Sequence, residues 1–209
     1  MREERYLDPF SIVSVSDNVD LVFVPGAVQK IEVEAGKNLI PNITTEVSNY
    51  QLTIKNNTDC NWMRSYDKKI TVYVTQPYLI EIYNHSYGKV SNTGQLEFDS
   101  LKIHNYGNGE LNMNIKCDKL WVDTNFLGDV ILSGEATEVD THCFRLARLD
   151  TRNLKCQDFT ILSEAEGDHF VYAENSLTGT IKSIGNVHYY GNPVTTNFQD
   201  LGEGNFIKN

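Results

Sequence analysis

The chain has 209 residues, 40% hydrophobic and 11% aromatic, a composition that excludes a disordered or low-complexity polypeptide. With 18 basic and 28 acidic residues the net charge is -10, which repels a polyanion and speaks against nucleic acid as a partner. No apolar run approaches the roughly 20 residues that a membrane-spanning helix needs, and the charged start, Met1 to Phe10, is not a signal-peptide core.

The first third of the chain alternates apolar and polar residues with period two, the pattern of strands buried on one face. Phe10 and Ile12, then Val19, Leu21 and Phe23, then Ile31 and Val33, Leu52 and Ile54, and Ile70, Val72 and Val74 are spaced as inward residues. Turn formers such as Asp17-Asn18, Pro25-Gly26 and Asn56-Asn57 bound these segments. A short turn is expected around Pro41 and a longer loop from Asn56 to Lys68. Residues 1–75 therefore read as irregular N-terminal coils.

From Gln76 an internal repeat takes over: a small residue, any residue, then usually an apolar one. The copies are Gly88-Lys89-Val90, Gly109-Glu110-Leu111, Gly128-Asp129-Val130, Ala147-Arg148-Leu149, Gly167-Asp168-His169 and Gly185-Asn186-Val187, at steps of 21, 19, 19, 20 and 18 residues. Eight and six residues before each small one stand Ile80/Ile82, Leu101/Ile103, Leu120/Val122, Val139/Thr141, Phe159/Ile161 and Leu177/Gly179. Period two within a copy and about 19 residues between copies place the same inward side chains in every coil, which a parallel β-helix stacks into ladders. The expected fold is one all-β domain over residues 1–209, a right-handed parallel β-helix. Residues 76–190 form its regular repeats and 191–209 a C-terminal cap or tail, with Phe198, Leu201 and Phe206 as the capping side chains. An antiparallel sandwich would show turn signals every 8 to 12 residues, about half the observed period.

Four residues before each corner the column reads Asn84, Asn105, Thr124, Cys143, Ser163 and Ile181. If inward, its polar groups must hydrogen-bond along the stack. One residue after each corner stand Lys89, Glu110, Asp129, Arg148, Asp168 and Asn186, an outward ladder in which Arg148 would sit between two aspartates. Cys60, Cys117, Cys143 and Cys156 contain no C-x-x-C pair and read as free buried thiols, with pairing left open.

The order of these segments is similar to a known family. The alternating stretch Phe10 to Pro25-Gly26, then Lys30-Ile31-Glu32-Val33-Glu34-Ala35, Leu39-Ile40, Leu52-Thr53-Ile54-Lys55, Ile70-Thr71-Val72-Tyr73-Val74 and the Gly-Asp-Val-like repeats resemble the auto-transporter adhesin head domain with its Gly-Ile-Asn signature, common in Bacteroidetes. The resemblance covers almost the whole chain. It implies a β-helix-like fold, export to the periplasm, outer membrane or cell surface behind a leader, and an adhesin role, with no catalytic residues to carry over. Bulky strings such as Asn84-His85-Ser86-Tyr87-Gly88 and Asn105-Tyr106-Gly107-Asn108-Gly109 replace the family's Ser-Gly runs.

Those strings define the candidate site. Five residues before the corner the column reads Tyr83, His104, Asp123 and His142, and three before it His85, Tyr106, Asn125 and Phe144. Both columns point outward if their neighbours point inward. Rings beside amide and carboxylate groups suit sugars, whose apolar faces pack on aromatics while their hydroxyls hydrogen-bond. Glycan or a surface protein is the expected partner; no cofactor or metal is assigned, although a divalent ion across His104, Asp123 and His142 is the alternative use of that column. A pectin-type hydrolase or lyase is the rival class, supported by Asn57-Thr58-Asp59 alone and lacking an Asp-Asp pair, Gly-His-Gly and Arg-x-Lys. A structural or assembly module is the third. Self-association is not readable.

Overall fold

The computed structural model describes residues 1–58, 69–125 and 127–209. Cys60, Trp62, Asp59 of the Asn57-Thr58-Asp59 string and most of the expected loop from Asn56 to Lys68 lie outside the described residues. The chain is a β-solenoid of about seven turns whose parallel strands recur about 19 residues apart.

Three sheets run along the stack. On the first, β8 (Glu81–Ser86), the end of β10 (Leu96–Asn105), the ends of β11 (Leu111–Thr124), β12 (Val130–Arg145) and β13 (Leu149–Ala165), then β15 (Ser176–Ile181) and β17 (Thr195–Asp200) pair in parallel, turn after turn. The second carries β9 (Val90–Asn92), the starts of β11, β12 and β13, then β14 (His169–Tyr172), β16 (Val187–Tyr190) and β18 (Phe206–Lys208). The third is built from the middle of the long strands, where Leu96, Ile115, Gly134 and Leu154 stand in register. The single 20-residue step has a cause: register shifts between Ile131 and Ser133, so that β13 carries one extra residue in a bulge.

The corner residues form one column, as the repeat requires. A β-carbon on Gly109 would overlap the carbonyl oxygen of Gly88, one on Gly185 that of Gly167, and one on Gly88 that of Val19. These glycines are demanded by close approach of one turn to the next and not by an unusual φ, since none of them has positive φ. A further copy, Gly204-Asn205-Phe206, continues the column beyond the expected regular repeats, because β17 and β18 make another parallel turn where a cap or tail was anticipated. Phe198 and Phe206 do stack there, 4.0 Å apart, and pack on the core, whereas Leu201 is 67% exposed and takes no part.

The column four residues before the corner is fully buried from Asn84 to Ile181. Asn84 Nδ2 donates to Asn105 Oδ1 at 2.6 Å, and Asn105 Nδ2 donates to the Gly128 carbonyl at 3.1 Å, so each asparagine hands a hydrogen bond to the turn above. Asn84 Oδ1 also receives the Ser86 amide at 3.0 Å. An Asn105→Ala change strands the Asn84 amide in the core and is expected to cost about 2 kcal/mol. In a chain of this size that lowers the thermal midpoint by about 4 to 8 °C, measurable by circular dichroism.

The N-terminal coils depart from the expected succession. β2 (Ile12–Asp17) lies between β6 (Gln51–Asn56) and β8, and β3 (Asp20–Phe23) between β7 (Thr71–Thr75) and β9. The turn made by β6 and β7 is thus laid on the far side of the first one. Among the described residues three pairings are antiparallel: β5 (Ile43–Ser48) on β6, β4 (Lys30–Glu34) on β7, and β1 (Arg2–Arg5) on β4. Asn49 and Tyr50, both at positive φ, close β5 and β6 as a two-residue hairpin, a connection open only to antiparallel neighbours. Around Pro41 a single 3₁₀ turn, Ile40–Asn42, fills the expected place.

Two inward assignments change. β2 buries Val13 and Val15, and Ile12 is displaced because the amides of Ser11 and Ile12 both bond the Tyr50 carbonyl, shifting the alternation by one after the buried Phe10. Ile80 is 51% exposed, and Leu79 takes the core position before β8 begins. The charge ladder holds in part. Lys89 meets Glu110 at 2.7 Å, but Arg148 lies near Asp129 (3.9 Å) and Asp150 (3.8 Å), not between Asp129 and Asp168. Asp168 accepts instead from the Asn186 amide at 2.8 Å. Cys117, Cys143 and Cys156 are free and buried, and burial pushes their thiols up to about 11, 12 and 12.

Candidate functional site

The eight candidate side chains lie on the outward surface of the first sheet. Parallel pairing sets Tyr83, His104, Asp123 and His142 opposite one another on four consecutive turns. Period two then puts His85, Tyr106, Asn125 and Phe144 on one side of them and a third column, Glu81, Lys102, Trp121 and Asp140, on the other. That third column was missed in the sequence, although the same alternation that exposes the second column exposes it. Together the twelve form a platform three columns wide and four turns long.

Its rings are packed edge to face and face to face. Tyr83 stacks on His104 with centroids 4.6 Å apart and planes within 9°. His85 and His104 lie 5.6 and 5.8 Å from Tyr106 in tilted contacts. Higher up, Trp121 lies 5.0 Å from His142, which meets the edge of Phe144 at 6.0 Å. His85 is exposed and the other seven candidates are half-buried, so rings present surface while being held by neighbours.

A hydrogen-bond chain ties the centre. His104 Nε2 lies 2.9 Å from Glu81 Oε1, and because an ionised carboxylate only accepts, the imidazole N–H is the donor there. His104 Nδ1 faces the Tyr106 hydroxyl at 3.3 Å and Asp123 Oδ2 at 3.5 Å. The Tyr106 hydroxyl donates to Asp123 Oδ2 at 2.8 Å. Burial, and after it the Asp123 carboxylate, push that phenol up to about 12, so it keeps its proton. Burial and then the Glu81 hydrogen bond raise Tyr83 as well. Burial, with a smaller contribution from Glu138, raises Asp140 against the opposing pull of His142. Asp123 Oδ1 and Asn125 Oδ1 are buried with no hydrogen-bond partner among the described residues.

At the corner end of the platform a depression of about 120 Å³ opens between His85, Tyr87, Tyr106, Gly107 and Asn108. Tyr87, 69% exposed, forms its outer wall. Among the described residues no three His, Cys, Asp or Glu side chains are arranged to hold a metal ion, the His104, Asp123 and His142 column included. A longer groove of about 490 Å³ on the third sheet holds carboxylates, as a hydrolase would need. There Glu97, Lys116, Glu135 and Lys155 stand in register on successive turns, so these two glutamates each have a lysine on a neighbouring turn and the column reads as charge compensation along the stack.

The sequence profile described as "Putative auto-transporter adhesin, head GIN domain" matches residues 9–193. The chain belongs to this family. Solved structures agree on the fold of the GIN domain. A "putative adhesin" from Bacteroides fragilis superposes with a TM-score of 0.92 at 20% identity, covering 100% of this chain and 96% of that one. Another "putative adhesin", from Parabacteroides distasonis, gives 0.71 at 17% identity over 100% and 96%. A "putative lipid binding protein" from the same species gives 0.67 at 18% identity over 99% and 96%. No curated protein matches the chain. At these identities the likeness speaks for the fold alone, and the platform residues have to be argued from their own chemistry.

Proposed function

We propose that this GIN domain is an exported, non-enzymatic adhesin module that binds glycan on the platform of its first sheet. The family's adhesin description supports export and attachment. The observation that carries the glycan reading is the juxtaposition of Tyr83, His104, Tyr106 and Trp121 rings with the half-buried polar side chains of Asp123 and Asn125 on adjacent turns. A sugar needs both: a flat apolar surface for its ring face and acceptors for its hydroxyls. Tyr83, His85, His104, Tyr106, Asp123, Asn125, His142 and Phe144 are the proposed contacts, joined by Trp121. No side chain on the platform is set up as a nucleophile beside a base, and the two carboxylates nearest its centre are engaged, Glu81 with His104 and Asp123 with the Tyr106 hydroxyl.

Screening the domain on a glycan array and titrating the hits by calorimetry tests this reading. Trp121→Ala and Tyr106→Phe are expected each to weaken binding about ten-fold or more, which corresponds to about 1.4 kcal/mol. The parent fold is monitored by its thermal midpoint. Retention of full affinity by both variants, or silence of the parent across the array, would overturn the proposal.

A further inference from the structure

We propose that the ridge where the first sheet turns into the second is a self-complementary surface, on which two copies of this chain pair about a two-fold axis. The residue just before each corner is exposed in every turn. On four turns it is a large apolar side chain: Tyr87 (69% exposed), Leu127 (59%), Leu146 (51%) and Ile184 (53%). On the others it is Asn18, Asn108, Glu166 or Glu203. The corners lie one above another, so these side chains form a single file along the stack. In chain order the file reads amide, ring, amide, leucine, leucine, carboxylate, isoleucine, carboxylate.

Reversed, that order is its own complement. A second copy laid antiparallel on the ridge, with the axis between Leu127 and Leu146, sets Leu127 against the partner's Leu146 and Tyr87 against the partner's Ile184. Asn108 then faces the partner's Glu166, and Asn18 the partner's Glu203, in each case an amide that can donate to a carboxylate that only accepts. Apolar surface leaves water against apolar surface, and every contact is made twice, as an isologous dimer requires. A slip of one turn in either direction brings Glu166 against the partner's Leu127 or Tyr87, and a parallel pair sets each carboxylate against its own copy. Beside the axis Asp129 comes opposite the partner's Arg148, a half-exposed guanidinium that lies no closer than 3.8 Å to a carboxylate of its own chain. Glu110 and Asp168, which face one another on the flank, are already engaged by Lys89 at 2.7 Å and by the Asn186 amide at 2.8 Å. At about 4.8 Å per turn the file is about 34 Å long, but it is one side chain wide, so the pairing is weak and concentration-dependent. The axis stands perpendicular to the plane of the two solenoids, which keeps both first sheets on one side. Two platforms then face the same way, and a multivalent ligand can engage both. The pairing itself stands whether or not the platform binds glycan.

Sedimentation velocity of the full chain, from about 5 to about 500 µM, is expected to show a reversible monomer–dimer equilibrium. Leu127→Glu sets a carboxylate against the partner's Leu146 and is expected to weaken the dimer about ten-fold or more, with the thermal midpoint of the parent retained because the side chain is exposed. Asn108→Glu, which opposes two carboxylates, is expected to weaken it by a similar factor, and adding Glu166→Lys to that chain is expected to restore it. Tyr78→Glu is the control: Tyr78 is 79% exposed at the opposite border of the first sheet, and its loss should leave the equilibrium unchanged. A monomer at every concentration overturns the proposal, as does a series of larger species that never closes. A dimer that survives Leu127→Glu lies elsewhere on the molecule and overturns it too. Equal loss with Tyr78→Glu would assign the pairing to unspecific apolar contact, and failure of the Glu166→Lys rescue would remove the antiparallel register on which the pairing rests. The readout contains no sugar, so a silent glycan array sinks the platform reading and leaves this one standing.

Discussion

Replacing Gly109 with alanine is expected to lower the thermal midpoint by about 6 to 12 °C, from a destabilisation of about 3 kcal/mol. The added methyl has nowhere to go. It would overlap the carbonyl oxygen of Gly88, with the Tyr87 carbonyl carbon 2.9 Å away, and both atoms belong to backbone that is fixed by the ladder below. Relief requires two turns to move apart at their corner, which lengthens the hydrogen bonds of Gly109 to Ser86 (3.1 Å) and Tyr106 to Asn84 (2.8 Å). The second of these also holds the Tyr106 ring in the platform, so the same variant should weaken ligand binding. Gly36→Ala is the control, because a β-carbon there comes no closer than 3.7 Å to a flexible Leu39 side chain. Its midpoint should stay near that of the parent. A parent-like midpoint for Gly109→Ala would mean that the corners are not in close contact, and the stacking argument would fail with it.

The same corner explains why so much of the architecture could be read in the sequence. A solenoid repeats one environment, so the demand for a small residue at the bend recurs in Gly88, Gly109, Gly128, Ala147, Gly167 and Gly185, and the buried polar column from Asn84 to Ser163 recurs with it. The eight candidate site residues came together on one face for the same reason. What escaped was information that no local pattern carries. Period-two alternation looks alike in parallel and antiparallel strands, so the directions of β1, β4 and β5 were hidden. The hairpin at Asn49-Tyr50 lacks the glycine that usually marks positive φ, and the insertion of β2 between β6 and β8 is a matter of chain path, not of residue type. Arg148 lies within 4 Å of Asp150, two residues on, as well as of Asp129, and Asp150 also holds Arg152 through bonds of 2.8 and 2.5 Å in a cluster beside the Phe170 ring, a contact within one turn that the ladder spacing does not carry. Gly204 continues the 19-residue period and could have been counted. The Glu81 to Asp140 column needed only the alternation to be extended by two residues.

Stability should fall steeply between about pH 6.5 and pH 4, because a histidine stands where the neighbouring turns carry aliphatic residues. His169, on β14, occupies the position of Val130, Leu149 and Val187 and is fully buried. Its ring is satisfied only when neutral. Nδ1 accepts the Leu149 amide at 3.2 Å, which leaves the proton on Nε2 to be donated to Ser163 Oγ at 3.1 Å. A second proton would set N–H against N–H. Burial accordingly lowers its pKa to about 4, against a smaller opposing pull from Asp168. The sign follows from linkage. Above the unfolded value of about 6.5 both states are neutral and the group contributes nothing to the pH dependence; as pH falls below it the unfolded chain binds a proton that the native state refuses, and stability is lost until the native ring also titrates near pH 4. At about 1.36 kcal/mol per pH unit the loss approaches 3 kcal/mol. Urea unfolding at about pH 7 and about pH 4.5 measures most of that interval before depressed carboxylates such as Asp158 and Asp168 begin to contribute. His169→Val, the residue found at this position in neighbouring turns, is expected to lose stability at neutral pH through the orphaned Leu149 amide and Ser163 hydroxyl, yet to show a pH dependence smaller by about 2 to 3 kcal/mol. Identical pH slopes in parent and variant would place the acid sensitivity elsewhere in the solenoid.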